Sequence, residues 1–174
     1  MNEIYILDGY NVIGKIPQLR EVKLRLGLEA ARKALAIMLS DINHSRPRIK
    51  FKVIFDGKTG EMPNYSKTDL HGIDCIFTRS GEEADDYIGR MLMDRKDNAG
   101  VVVISDDNKV RNKCKVYGAS AQESQSLSRL AGNQSKNTKS MNSAKTDDKD
   151  IKQQDAGDIT RWYTEQLKKR DVAL

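Results

Sequence analysis

The 174-residue chain is 38% hydrophobic and 32% charged, and its 30 Lys and Arg against 25 Asp and Glu leave a net charge of +5. That is one domain's worth of sequence, with a polar excess that leaves part of the chain solvated. No run approaches the ~18 apolar residues of a spanning helix, which excludes a helical membrane protein and any membrane partner read from the sequence. Cys75 and Cys114 fit neither a disulfide framework nor a CxxC motif, and no signal-like segment precedes the first apolar run, so a reducing, cytoplasmic setting is expected. The positive excess is spread: 20 basic against 18 acidic residues up to position 128, and 10 against 7 beyond it. Such a balance suits a nucleic-acid partner, and equally a lysine-rich solvated surface.

Residues 4–7 form a short apolar run ending at Asp8-Gly9, the pattern of a buried strand. Residues 14–27, with Gly14, Pro17 and Gly27 among charges, read as a loop holding about one helical turn. From Leu28 to Asn43 the apolar residues at 28, 31, 35, 38, 39 and 42 have helical spacing. A second strand covers 49–55 and ends at Asp56-Gly57, followed by a long polar loop over 57–71. A third strand covers 73–77, and Ser80 opens a second helix to about Lys96, with Ser80 and Glu83 spaced as a capping box. The fourth strand, 101–104, ends at Ser105-Asp106-Asp107; a short helix over 107–113, a weak fifth strand over 114–117 and a short helix over 121–130 follow. Strands alternating with helices predict an α/β fold with a mostly parallel sheet covered on both faces. The helix-free link between the second and third strands is either an excursion or an antiparallel step. These elements form a predicted domain over residues 1–130. Residues 131–155 have a low-complexity linker composition. Residues 156–174 read as an amphipathic helix carrying Ile159, Trp162, Tyr163 and Leu167, which docks on the domain or binds a protein or RNA partner.

The chemistry lies in where the acids fall. In a parallel sheet the C-terminal strand ends share one rim, and ligands bind there. Asp8, Asp56 and the Asp106-Asp107 pair end three strands and so reach that rim. Unpaired carboxylates repel one another, and a divalent cation removes that cost. On the helix after Ser80, residues Ala84, Ile88, Met91 and Leu92 form the buried stripe; Asp85 borders it, while Glu82 and Asp86 lie further round and also suit the helix dipole. His44 and His71 have no metal-ligand spacing and read as surface residues. An all-carboxylate site favours a hard cation, Mg²⁺ or Mn²⁺, which activates water and neutralises phosphoryl oxygens. No GxxxxGK[ST] or GxGxxG loop is present.

The stretch Asp8-Gly9-Tyr10-Asn11 resembles the DGYN opening of NYN domains, PIN-like nucleases, and is most similar to the YacP-like branch. Glu82-Glu83-Ala84-Asp85-Asp86-Tyr87-Ile88 resembles that family's E-x-A-D-x-x-I helix start, and Ile104-Ser105-Asp106-Asp107 its fourth-strand acid; the 53–57 strand end also fits. The similarity covers roughly residues 3–130, departing where Gln122–Leu130 is short and runs into the linker. The resemblance implies a PIN-like three-layer α/β/α sandwich and a divalent-metal-dependent ribonuclease acting on RNA. It places metal on Asp8, Asp85 and Asp106, makes Asn11 an orienting amide, and leaves Asp86, Asp107, Glu82 and Asp56 as further candidates. Lys15, Arg20, Lys23 and Arg25, then Lys58, Tyr65 and Lys67, and finally Arg79 and Arg111 flank the acid-bearing segments and are candidate phosphate contacts, or simply polar loop residues.

Two rival readings follow from the same residues. One is an RNA-binding module without catalysis that recruits partners through its basic loops and C-terminal helix. The other is a small-molecule phosphohydrolase of the haloacid dehalogenase type, which wants D-x-D where this chain has Tyr10. The sequence leaves the oligomeric state open.

Overall fold

The computed structural model describes residues 3–57 and 66–132. The elements in chain order are β1 (Glu3–Asp8), α1 (Gly9–Lys15), α2 (Pro17–Leu26), α3 (Leu28–Ser45), β2 (Ile49–Gly57), β3 (Ser66–Leu70), β4 (Ile73–Ser80), α4 (Ala84–Met93), β5 (Val101–Ile104), α5 (Asn108–Val116), β6 (Ser120–Gln122) and α6 (Gln125–Gly132). The strands make one six-stranded sheet in the order β3-β4-β2-β1-β5-β6. All pairings are parallel except β3–β4.

Alternation along each strand divides the core in two. Tyr5, Leu7, Val53, Phe55, Val102 and Ile104 face one side, against Val12, Ile13, Leu19, Leu35, Leu39 and Leu127 of α1, α2, α3 and α6. Ile6, Ile54, Ile76, Val101 and Val103 face the other, against Ala84, Ile88, Leu92, Val110 and Cys114 of α4 and α5. The result is the three-layer α/β/α arrangement that the alternating pattern predicts. The path from β1 to β2 runs over one face; α4 carries the chain from β4 to β5 over the other. The connections thus diverge at β1, where open α/β sheets form their binding crevice. Among the described residues, no helix is long and apolar enough to cross a membrane.

Four local expectations differ. Residues 14–27 are not a loop: Pro17 stands at the first position of α2, Gly27 (φ 89°) follows its end, and Ile16, Leu19 and Val22 are buried at helical spacing. Proline and glycine here mark helix boundaries. The 57–71 loop contains β3, an antiparallel edge strand on β4, so the link includes an antiparallel step. The capping box fails, because Ser80 is the last residue of β4 and Glu83, at the N-cap, makes no side-chain cap bond. Cys114–Val116 is the end of α5, and the sixth strand lies beyond Gly118, at Ser120–Gln122. The last described element runs to Gly132, two residues past the predicted domain end. Lys58, Tyr65, the rest of the 131–155 linker and the 156–174 helix lie outside the described residues.

Candidate active site

Asp8 closes β1 and caps α1, its Oδ1 accepting the Asn11 amide at 3.2 Å. Gly9 between them is required by packing: a Cβ there would lie 2.3 Å from the Phe55 ring and 2.8 Å from Val53. Asn11 in turn uses its Oδ1 to accept the backbone N–H of Asp106 at 3.0 Å, across 95 residues of sequence. The DGYN segment therefore ties the end of β1 to the end of β5.

Asp56, at the end of β2, accepts the Ala84 amide and supplies the cap that α4 lacks from its own N-cap residue. The β2 end is fixed by an irregularity in its pairing with β4 between Phe55 and Gly57. Gly57 donates its N–H to the Thr78 hydroxyl at 2.8 Å, and Thr78 donates to the Glu82 carbonyl. Asp56 and Thr78 thus hold the first turn of α4 against the rim, and that turn carries Asp85. Asp85 is half-buried, and its Oδ1 is buried with no hydrogen-bond partner among the described residues. Such an oxygen is costly unless something electropositive meets it.

Asp106 is half-buried after β5; its Oδ2 accepts the Ser124 amide at 3.3 Å and the Ser124 hydroxyl. Asp107 is exposed and caps α5, accepting the Lys109 amide at 2.7 Å. Burial raises the Asp8 carboxyl from its ordinary 3.8 to about 6; the Asn11 N–H opposes this, and the charges of Asp56, Asp85 and Asp107 add to it. Carboxylates from three other segments therefore act on Asp8 at a single rim.

The donor set has the chemistry of a hard-cation site, with only carboxylate oxygens, one of them orphaned, and one acid held against ionisation by burial and, secondarily, by its neighbours' charge. Among the described residues, no three His, Cys, Asp or Glu side chains stand in the arrangement of a formed metal site. Asp106 accounts for part of this, since one of its oxygens turns to Ser124. Two other candidates face elsewhere: Glu82 pairs with Arg90, and Asp86 with Lys113 at 3.3 Å. Cys75 and Cys114 are buried free thiols, pushed by that burial to about 12 and about 11.

The basic candidates scatter. Lys15 and Arg20 are exposed on α1 and α2, not on a loop. Lys67 lies on β3 and lines a separate cavity of about 340 Å³ with Lys52 and Asp74. Arg79 is the penultimate residue of β4, and Arg111 pairs with Glu123 at 2.6 Å. Ser124, the partner of Asp106, escaped sequence reasoning because nothing local in the chain marks a contact 18 residues away. Arg32 did too: its guanidinium donates to the hydroxyl of Tyr10, a residue of the DGYN motif, and lies 5.0–5.6 Å from the rings of Tyr10, Phe55 and Phe77, bracing the rim from the α3 side.

The sequence matches the family model of the YacP-like NYN domain over residues 5–171, beyond the 3–130 that the motifs cover. A curated Bacillus subtilis (strain 168) protein, "Uncharacterized protein YacP", is 32% identical over 89 residues, 51% of this chain and 51% of that one. The chain thus aligns with about half the length of that relative. A crystal structure of Rae1 (YacP) from Bacillus subtilis, in a tryptophan-substituted form, is similar at a TM-score of 0.62 and 26% identity, covering 75% of this chain and 76% of that one. A second structure of Rae1 (YacP) gives 0.59 and 25%, covering 75% and 74%.

Proposed function

Because the chain belongs to the YacP-like NYN family, whose domains are generally nucleases, we propose that it is a divalent-metal-dependent endoribonuclease with its centre at the β1–β5 rim. The observation that carries this reading is the convergence of Asp56, Asp85 and Asp107 on the buried Asp8 carboxyl, with the Asp85 Oδ1 buried and unpartnered among the described residues. Asp8, Asp85 and Asp106 would hold Mg²⁺ or Mn²⁺, with Asp107 beside them. When bound, such a cation supplies a water of lowered pKa and neutralises charge on the phosphoryl oxygens. Asn11 positions Asp106 relative to Asp8, and Asp56 positions the Asp85 turn. Both act through the backbone and hold the carboxylates at fixed separations before substrate arrives. Ser124 orients Asp106 from behind, the part an outer hydrogen-bond partner plays for a metal-binding carboxylate.

The competing reading is an RNA-binding module without catalysis. The engagement of one Asp106 oxygen by Ser124 favours it. Cleavage of a labelled RNA, with and without EDTA, by the wild type, Asp8→Asn and Asp106→Asn decides between them. The nuclease reading expects cleavage that EDTA stops and that both substitutions abolish while the fold persists. Undiminished cleavage by either variant refutes the mechanism, and RNA binding with no cleavage and no Mn²⁺ uptake supports the competitor.

A further inference from the structure

A cavity of about 580 Å³ lies along α4 on the side facing α5. One end is formed by the turn from Arg79 to Glu82, and Ser80 of that turn pairs with Gly57 beside Asp56, so this end adjoins the acidic rim. The other end is formed by Met93 and Tyr117. The ten residues of α4 make the groove ~15 Å long. It is open and lined largely by charged side chains, unlike the enclosed apolar pockets that hold small molecules.

The groove contains a lysine placed by a glycine. Lys113, from α5, crosses α4 at Gly89: a Cβ at position 89 would lie 2.7 Å from the lysine Cε and 3.0 Å from its Nζ. Glycine inside a helix costs roughly 1 kcal/mol relative to alanine, and Gly89 is buried in the middle of α4. What the missing side chain makes room for is the Lys113 stem. The ammonium lies over the groove, 3.3 Å from Asp86, an acid whose side chain is 67% exposed. Arg90 stands in the same groove, paired with Glu82 and lying 5.5 Å from the Tyr87 ring. The Lys113–Asp86 pair, with side chains 41% and 67% exposed, contributes about 0–1 kcal/mol, so a phosphate can replace Asp86 at little cost, while the half-exposed Arg90 can take a phosphate beside the more buried Glu82. Tyr117 and the 60% exposed Met93 offer flat apolar surface at the far end. Fixed cations followed by an aromatic face are what sequence-tolerant single-strand recognition uses.

We infer that the α4–α5 groove is a track for the phosphates of a single-stranded polynucleotide, with Lys113 and Arg90 as its contacts, leading the strand to the acidic rim. The identity of the polymer rests on the nuclease reading; the track itself does not need cleavage.

The test is fluorescence anisotropy of a labelled 20-nucleotide oligouridylate in EDTA, across a salt series, for the full chain. Lys113→Ala and Arg90→Ala are each expected to weaken binding about tenfold, the weight of one charge-assisted contact. Each is also expected to flatten the log–log salt slope by about 0.7. Lys50→Ala, which removes an exposed cation on β2, is expected to leave affinity and slope unchanged. Wild-type affinity and slope in Lys113→Ala and Arg90→Ala overturn the proposal. So does an equal loss in Lys50→Ala, which would mean diffuse charge. Displacement of the RNA by polyglutamate at matched charge would assign the groove to an acidic protein and also overturn it. A chain that binds through the groove yet never cleaves RNA with Mn²⁺ refutes the nuclease reading and leaves the track standing.

Discussion

Asp8→Asn isolates the electrostatic cost of the rim. Asparagine keeps an oxygen for the Asn11 amide and is itself a good N-cap, so the substitution removes charge and little else. The Asp8 carboxyl ionises at about 6 in the folded chain against an ordinary 3.8. That difference of roughly two pH units, at about 1.36 kcal/mol each, makes the ionised folded state about 3 kcal/mol less stable than it would be with an unperturbed acid. The sign follows from the raised value. Below about pH 4 the carboxyl is neutral folded and unfolded, and no penalty exists. Between 4 and 6 the unfolded chain releases the proton first, and above 6 the full penalty applies. The variant should therefore match the wild type near pH 3.5 and exceed it by about 3 kcal/mol at pH 7.5, or about 10 °C in Tm for a domain of this size. Urea unfolding at the two pH values measures this. Saturating Mn²⁺ at about 100 times its Kd should return about 2.7 kcal/mol to the wild type and nothing to Asp8→Asn. A variant equal to or less stable than the wild type at pH 7.5 would refute the cost of burying an ionised Asp8 at this rim.

Three further outcomes test the parts that hold the rim together. Asp56→Ala should lower stability by about 1–2 kcal/mol by uncapping α4, and Asp56→Asn should recover most of it; urea midpoints equal to wild type in the alanine variant would remove the capping role. Ser124→Ala should weaken Mn²⁺ binding by about tenfold or more in calorimetric titration, because Asp106 loses its orienting hydroxyl, and unchanged affinity would place Asp106 outside the metal site. Gly57→Ala should cost at least ~2 kcal/mol, since the new Cβ would sit 2.0 Å from the Thr78 carbonyl oxygen; a neutral unfolding curve would contradict the close approach of β2 and β4.

The sequence made the sheet legible because β1 and β5 are continuous apolar runs, β2 and β4 each contain one, and acids stand at the ends of β1, β2 and β5. Asp85 was visible from its place at the border of the α4 stripe, and the structure sets it where that border predicts, half-buried in the first turn. The capping box misled because S-x-x-E describes only neighbours along the chain, whereas α4 is capped from β2 by Asp56, 28 residues earlier. The helix α2 was hidden because Pro17 and Gly27 bracket a segment with only two buried residues, too few to outweigh its charges. The short β3, with the pattern Ser66-Lys67-Thr68-Asp69-Leu70, has half-buried residues alternating with charges and little apolar content, as an edge strand can. Ser124 and Arg32 belong to contacts that exist only once distant segments pack.

The bond from the Asp106 amide to Asn11 joins the first strand to the fifth. During synthesis, β1, its three following helices and β2 can assemble long before residue 106 leaves the ribosome, since the N-terminal part of a chain is available first. Until then β1 forms an open margin of the partial sheet, and the segment bearing Asp106 and Asp107 is not yet available to the rim. The segment that brings Asp106 and Asp107 is the same one that covers that margin. An unfinished or prematurely ended copy therefore has an unsealed first strand and an incomplete rim together, so any hydrolytic capacity arrives only with the closed fold.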